Sequence, residues 1–216
     1  MIEHINLHPS YFATAEAILV HILPLLTTSN TQKYCIVISG ESGSGKTTTA
    51  TCIAQLLQQQ GINSAILHQD DYFYLPPATN RLHRAKNINV VGTQEVDLAK
   101  IDSHIALFKA NTPTLTKSLC IYEDNVFITE TLNFANVQVL LVEGTYTTTL
   151  RNADYRVFMS RTYHQTLEQR IARGRDTFDT MLNKVLDIEH QIIKTHAAQA
   201  DLCVNIDYSI TLQPKK

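Results

Sequence analysis

Apolar positions along this chain alternate between two spacings, and each change of spacing marks a change of element. Between residues 10 and 28, Phe12, Ala15, Ile18, Leu19, Ile22 and Leu26 fall three or four apart, which predicts an amphipathic helix. Ser10 is its expected N-cap, and Pro24 with the polar run Thr27 to Gln32 is expected to end it. The unbroken run Tyr34 to Ile38 then reads as a buried strand. Thr47 to Gln60 returns to helical spacing through Ile53, Leu56 and Leu57, with Gly61 as its C-cap and a strand near 63–68 beyond.

The same rhythm continues to the end. Asp97 to Ala110 has helical spacing, while Leu115 to Tyr122 and Val126 to Thr131 form a hairpin turning at Glu123-Asp124-Asn125. Gln138 to Val142, Arg156 to Ser160 and Leu202 to Ile206 read as strands, and 162–172 and 177–198 as helices parted at Gly174. Leu75 to Gly92, with Pro76-Pro77 and four basic residues, is the longest stretch expected to be irregular. Strands alternating with helices imply a mostly parallel, doubly wound α/β sheet.

The whole chain has 216 residues, is 44% hydrophobic and carries a formal charge of −2, which fits one globular domain with an appendage. That balance argues against a general nucleic-acid or membrane-surface binder. No stretch is expected to span a bilayer, and the start lacks the basic residues of a signal peptide. Cys35, Cys52, Cys120 and Cys203 include no C-x-x-C pair, so reduced core thiols and a cytoplasmic home are expected. Histidine spacing offers no metal site. Self-association is left open.

Chemistry concentrates at Gly40-Glu41-Ser42-Gly43-Ser44-Gly45-Lys46-Thr47, a complete phosphate-binding loop between a strand and a helix. Its glycines allow successive N–H groups to face one anion, and the helix that follows adds the positive end of its dipole. Gly40, Ser42, Gly43, Ser44, Gly45, Lys46, Thr47 and Thr48 are the expected contacts to a nucleoside triphosphate, with Thr47 reaching Mg²⁺.

Three further positions frame that loop. Asp70 and Asp71 follow the second strand, where ligands of such sheets bind; in an extended chain they point to opposite faces, so only one is expected to enter the site. Leu140-Leu141-Val142-Glu143-Gly144 ends an apolar strand in a carboxylate suited to Mg²⁺ or its water shell. Arg170, Arg173 and Arg175 around Gly174 suit a lid closing over phosphates. Arg81, Arg84 and Lys86 are candidates for an anionic acceptor, and Tyr72, Phe73 and Tyr74 for stacking on a ring.

Taken together, the phosphate loop, Gln69-Asp70-Asp71-Tyr72-Phe73, Val142-Glu143-Gly144 and Arg173-Gly174-Arg175-Asp176 resemble the uridine kinase and phosphoribulokinase family from about residue 34 to 207. The resemblance implies a P-loop NTPase-type three-layer α/β/α fold with an arginine lid near 161–178; the kinase domain is expected over 33–210, and the helical spacing ahead of it makes 1–32 an N-terminal helical extension outside the resemblance. It implies transfer of the ATP γ-phosphate to a nucleoside, riboside or sugar-like hydroxyl, with a small-molecule acceptor as partner. Asp70 would then be the general base, Thr47 and Glu143 the Mg²⁺ residues, and Lys46, Arg173 and Arg175 the charge-stabilising groups.

The chain departs from uridine kinases at two places on the acceptor side. Val90 to Gln94 has no carboxylate where they carry Asp-His-Pro, and Glu168-Gln169 replaces an Arg-Asp pair before the lid. A family member that binds ATP as a regulatory module is the alternative reading. A GTPase would need Asn-Lys-x-Asp, which Asn183-Lys184-Val185-Leu186-Asp187 misses by one residue.

Overall fold

The computed structural model describes residues 9–28, 33–174 and 178–214. Its helices are α1 (Pro9–Thr28), α2 (Lys46–Gln59), α3 (Pro77–Lys86), α4 (Leu98–Lys109), α5 (Leu167–Arg173) and α6 (Thr180–Ile193). The strands are β1 (Tyr34–Gly40), β2 (Ser64–His68), β3 (Thr114–Ile121), β4 (Val126–Asn133), β5 (Val139–Gly144), β6 (Tyr155–Met159), β7 (Leu202–Val204) and β8 (Ile210–Leu212). Six of them form one sheet in the order β2-β5-β1-β6-β7-β8, parallel except for β8, which pairs antiparallel with β7. β3 and β4 stand apart as an antiparallel hairpin.

Alternation within the central strands divides the core in two. Ile36 and Ile38 of β1, with Leu141 of β5 and Val157 of β6, pack under α1 and α2. Cys35 and Val37, with Leu140 and Val142, face α4, the hairpin and Phe134 on the other side. The result is the expected three-layer α/β/α arrangement. Every residue of β5 is buried, as a strand covered on both faces requires.

Several elements differ from expectation. Pro24 does not end α1, which runs on to Thr28, and Ser10 lies in its first turn rather than capping it. The stretch Pro9–Leu26 is, contrary to expectation, long and apolar enough to cross a membrane by length and composition. Its stripe of Ala15, Ile18, Leu19 and Ile22 is buried against α2 and the sheet, at about 1.5–3 kcal/mol for each large side chain.

Within 75–92, expected to be irregular, lies α3. Pro77 opens that helix, where its missing N–H costs nothing. Its one buried residue is the polar Asn80, so it has no apolar stripe to betray it. The expected helix 162–172 begins only at Leu167, and 177–198 shortens to α6, whose N-cap Asp179 accepts from Leu182 N at 2.8 Å. β8 carries the sheet to Leu212, two residues past the expected boundary at 210.

Candidate active site

β1, β2 and β5 end side by side, and the loops leaving their carboxyl ends enclose a cavity of about 250 Å³. Ser42, Lys46, Thr47, Asp70, Phe73, Tyr122, Glu143 and Glu189 are among its lining residues. The phosphate loop forms one wall. Gly40, Gly43 and Gly45 all have positive φ, the conformation that only glycine adopts readily.

Side chains would also collide there. A Cβ on Gly40 would sit 2.7 Å from the Met159 carbonyl oxygen, and one on Gly43 would sit 2.8 Å from Arg170 Cγ. On Gly45 it would meet the Tyr11 ring of α1 at 3.0 Å, so the N-terminal helix backs the loop directly. α2 then starts without a side-chain cap, leaving its first amides available to an anion. Lys46 Nζ donates to the Glu41 carbonyl at 2.9 Å, folded along the loop it serves.

The loop is also held from the lid side. Glu41 accepts from Tyr163 N at 2.7 Å and lies 2.7 Å from His190 Nδ1, while Thr166 Oγ1 donates to the Ser42 carbonyl at 2.8 Å. The turn before α5 and the body of α6 therefore grip the phosphate loop from above.

Glu143, at the end of β5, is buried and lies 2.8 Å from His68 Nδ1 at the end of β2. Burial pushes the carboxyl pKa up, but the His68 hydrogen bond and charge, then Lys46 and the Thr47 hydroxyl, overcome this and lower it. The group is therefore held ionised beside the loop hydroxyl. An ionised carboxylate next to a hydroxyl is the hard-oxygen pair that suits Mg²⁺, which keeps several waters and takes the rest from phosphates. No preformed cluster of three or more His, Cys, Asp or Glu exists among the described residues, and a cation of that kind needs none. Gly144 makes the corner possible, because a Cβ there would lie 2.2 Å from Gln69 Cβ. Gln69 Oε1 accepts from Tyr146 N at 2.7 Å and fixes that contact.

Asp70 and Asp71 lie in a 3-10 turn (Gln69–Tyr72) rather than an extended segment, yet they still diverge. Asp70 lines the cavity, with Tyr122 Oη 3.5 Å from its Oδ2. Asp71 is buried beneath the hairpin, 2.6 Å from Lys117 Nζ, and accepts from Cys120 N at 2.8 Å. Tyr72, expected at a substrate ring, instead points into the core and bonds His104 Nδ1 at 2.8 Å. Phe73 does line the cavity.

The basic residues part company. Arg84 clasps Glu95 through Nε at 2.6 Å and Nη2 at 2.8 Å, and Nη2 also reaches Glu189 at 3.2 Å. Arg81 pairs with Asp179. Both line the cavity, but as members of ion pairs rather than as cations awaiting an anion. Lys86 is not among the lining residues. Arg170, also expected at the substrate, is buried behind the phosphate loop, with its guanidinium over the rings of Tyr163 and Phe178. Arg175 lies outside the described residues, as does the side chain of Arg173, whose backbone closes α5.

His68, Tyr122, Glu189 and Tyr11 were not legible as site residues. His68 adjoins the Gln-Asp-Asp block, and Glu189-His190 bears a weak likeness to the family's terminal region. Tyr11 and Tyr122 arrive by tertiary packing alone.

The model of the phosphoribulokinase / uridine kinase family matches residues 35–205. The chain is 29% identical over 202 residues to a bifunctional alpha-galactosidase/sucrose kinase of Mediterraneibacter gnavus, matching over 83% of its own length and 22% of the relative's. It thus spans about a fifth of the curated relative.

A solved structure described as a possible uridine kinase from Bacillus stearothermophilus superposes with a TM-score of 0.64 at 19% identity, over 88% of this chain and 98% of that one. Phosphoribulokinase from Rhodobacter spheroides gives 0.61 at 12% identity, over 81% of this chain and 70% of that one. These likenesses share the fold. With its phosphate loop and strand-end carboxylates falling inside the matched segment, this chain belongs to the phosphoribulokinase/uridine kinase family.

Proposed function

We propose that this chain is an ATP-dependent phosphotransferase that moves the γ-phosphate to a hydroxyl of a small molecule. The observation that carries the reading is the lining of one cavity by Lys46, Thr47, Glu143 and Asp70. The loop amides and α2 hold the triphosphate, and Lys46 exchanges the Glu41 carbonyl for phosphate oxygen. Thr47 and Glu143 are the residues suited to Mg²⁺, which when bound neutralises charge on the phosphate oxygens.

Asp70 accepts the proton of the acceptor hydroxyl as its oxygen bonds to the γ-phosphorus and the bridge to the β-phosphate breaks. In a loose transition state the carboxylate mainly orients the alcohol, so it needs no strongly raised pKa. Arg173 and Arg175 are proposed to bring positive charge to the phosphates as the lid of the site. A cytoplasmic setting belongs to the same reading, since all four cysteines are buried thiols outside any disulfide.

The test is acceptor-dependent ADP release in the presence of magnesium. Turnover with at least one alcohol from a panel of sugars, nucleosides, sugar acids and sugar phosphates supports it. ATP binding without turnover on any of them would assign the chain to regulation.

A further inference from the structure

We propose that Tyr11 is a positioning residue of the nucleotide site, its ring holding Gly45 of the phosphate loop in the left-handed conformation that triphosphate binding requires; this rests on the nucleotide-binding part of the reading above. Each loop glycine lies against a wall. A Cβ on Gly40 would meet Met159, and one on Gly43 would meet Arg170 and Thr166. Both of those walls belong to the segment that the family model matches, residues 35–205. The wall at Gly45 does not. There the three nearest heavy atoms, between 3.0 and 3.9 Å from a Cβ, all belong to the side chain of Tyr11, in the first turn of α1.

Gly45 is the joint between the loop and α2. It sits at φ 95° and ψ 14°, and no side chain caps the helix that follows. Its carbonyl accepts from Thr49 N at 2.8 Å, which ties the helical side of the residue. Glycine has more backbone freedom to lose than any other residue, so an unsupported Gly45 would have to be ordered by the ligand itself. A ring already packed on it removes that cost before ATP arrives, and the amides that follow keep their aim.

Tyr11 is itself braced. Tyr208 meets its ring edge-on, with centroids 6.0 Å apart and planes at 83°. Tyr208 also lies beyond the matched segment, and its φ of 67° is a conformation that a tyrosine keeps only where its surroundings impose it. The turn supplies one such restraint, with Tyr208 N donating to the Asn205 carbonyl at 3.0 Å. Arg161 supplies another: it donates to the Tyr208 hydroxyl, with its guanidinium 5.2 Å from the ring centre. Residues from opposite flanks of the family domain thus converge on one loop glycine. Fastening α1 to the sheet does not require Tyr11, because Ala15, Ile18, Leu19 and Ile22 already carry that burial.

The experiment is calorimetric titration of magnesium ATP into the whole chain without an acceptor, with the Tm of each unliganded protein reporting its folding. Tyr11→Ala should raise Kd about tenfold, while Tyr11→Phe, which keeps the ring, should stay within about twofold of wild type. Tyr208→Ala should raise Kd in the same direction by a smaller factor. Ile22→Ala is the control: it opens a cavity under the same helix about 16 Å from Tyr11, so it should lower Tm yet leave Kd at the wild-type value. With an accepted alcohol present, Tyr11→Ala should raise the ATP KM and leave the acceptor KM unchanged.

Wild-type affinity in a folded Tyr11→Ala protein, or an equal loss in Ile22→Ala, overturns the inference and leaves the nucleotide site standing. Should Tyr11→Ala fail to fold, Tyr208→Ala decides, and wild-type affinity in that variant overturns the inference. Absence of ATP binding by the wild type removes the nucleotide-site reading and this inference with it.

Discussion

His68 and Glu143 are register partners on adjacent parallel strands, and their side chains meet at 2.8 Å where both strands end. Backbone pairing thus delivers a hydrogen-bond partner to the carboxylate proposed to hold the metal, as outer-shell groups commonly do. Glu143→Gln should raise the magnesium concentration needed for half-maximal ADP release by at least about tenfold. His68→Ala should raise it less. Equal magnesium dependence in wild type and Glu143→Gln would remove Glu143 from the metal site.

Asp71 and Asp70 should separate by phenotype. Asp71→Ala strands Lys117 in a buried site and removes the acceptor for the Cys120 amide. Lys117 retains Glu130 at 2.8 Å, so the loss should lie toward the lower end of the roughly 3–5 kcal/mol for a broken buried pair. Chemical denaturation measures it. An unaltered midpoint would mean that the hairpin does not depend on that pair.

Gly144→Ala places a methyl 2.2 Å from Gln69 Cβ, with Oε1 of the same side chain at 2.7 Å. Overpacking of that kind costs about 1–3 kcal/mol, which lowers Tm by several degrees in a chain of this size. The strain falls between the strand ends that carry Asp70 and Glu143, so turnover should suffer as well. Differential scanning calorimetry with an activity assay checks both.

Acid should weaken the fold through His104. Burial first, then the charges of Lys100 and Lys117, lower its pKa below the ordinary 6.5. A lowered histidine pKa means the unfolded state takes the proton first. Its stabilising contribution is therefore complete above about pH 6.5 and is lost as pH falls through the lower folded-state value. His104→Gln should show a shallower decline of Tm over that range. His196, also lowered by burial, leaves a residual slope in the variant.

How much of this was legible depended on whether burial was apolar. β1, β5 and α2 announce themselves through runs and stripes of Ile, Val and Leu, and the phosphate loop through three glycines at fixed spacing. α3 did not, because the residues it turns inward, Asn80 and Arg84, are held by Glu95 instead of by a hydrophobic layer. That same network removes Arg84 from the pool of free cations, which no spacing rule could reveal. Pro24 misled because context overrode its ordinary breaking tendency: α1 packs across it. β8 is three residues at the sheet edge, too short for alternation to stand out. Tyr11 meets Gly45 only because α1 folds back over α2.

The most direct measurement is a single-turnover comparison of wild type and Asp70→Asn, with magnesium ATP bound and an accepted alcohol added. Phosphoryl transfer should fall by about 10²–10⁴-fold in the variant while calorimetric ATP affinity stays within a few-fold of wild type. Transfer at the wild-type rate, with Asp71→Asn inactive instead, would contradict the assignment of the cavity-lining aspartate as the base.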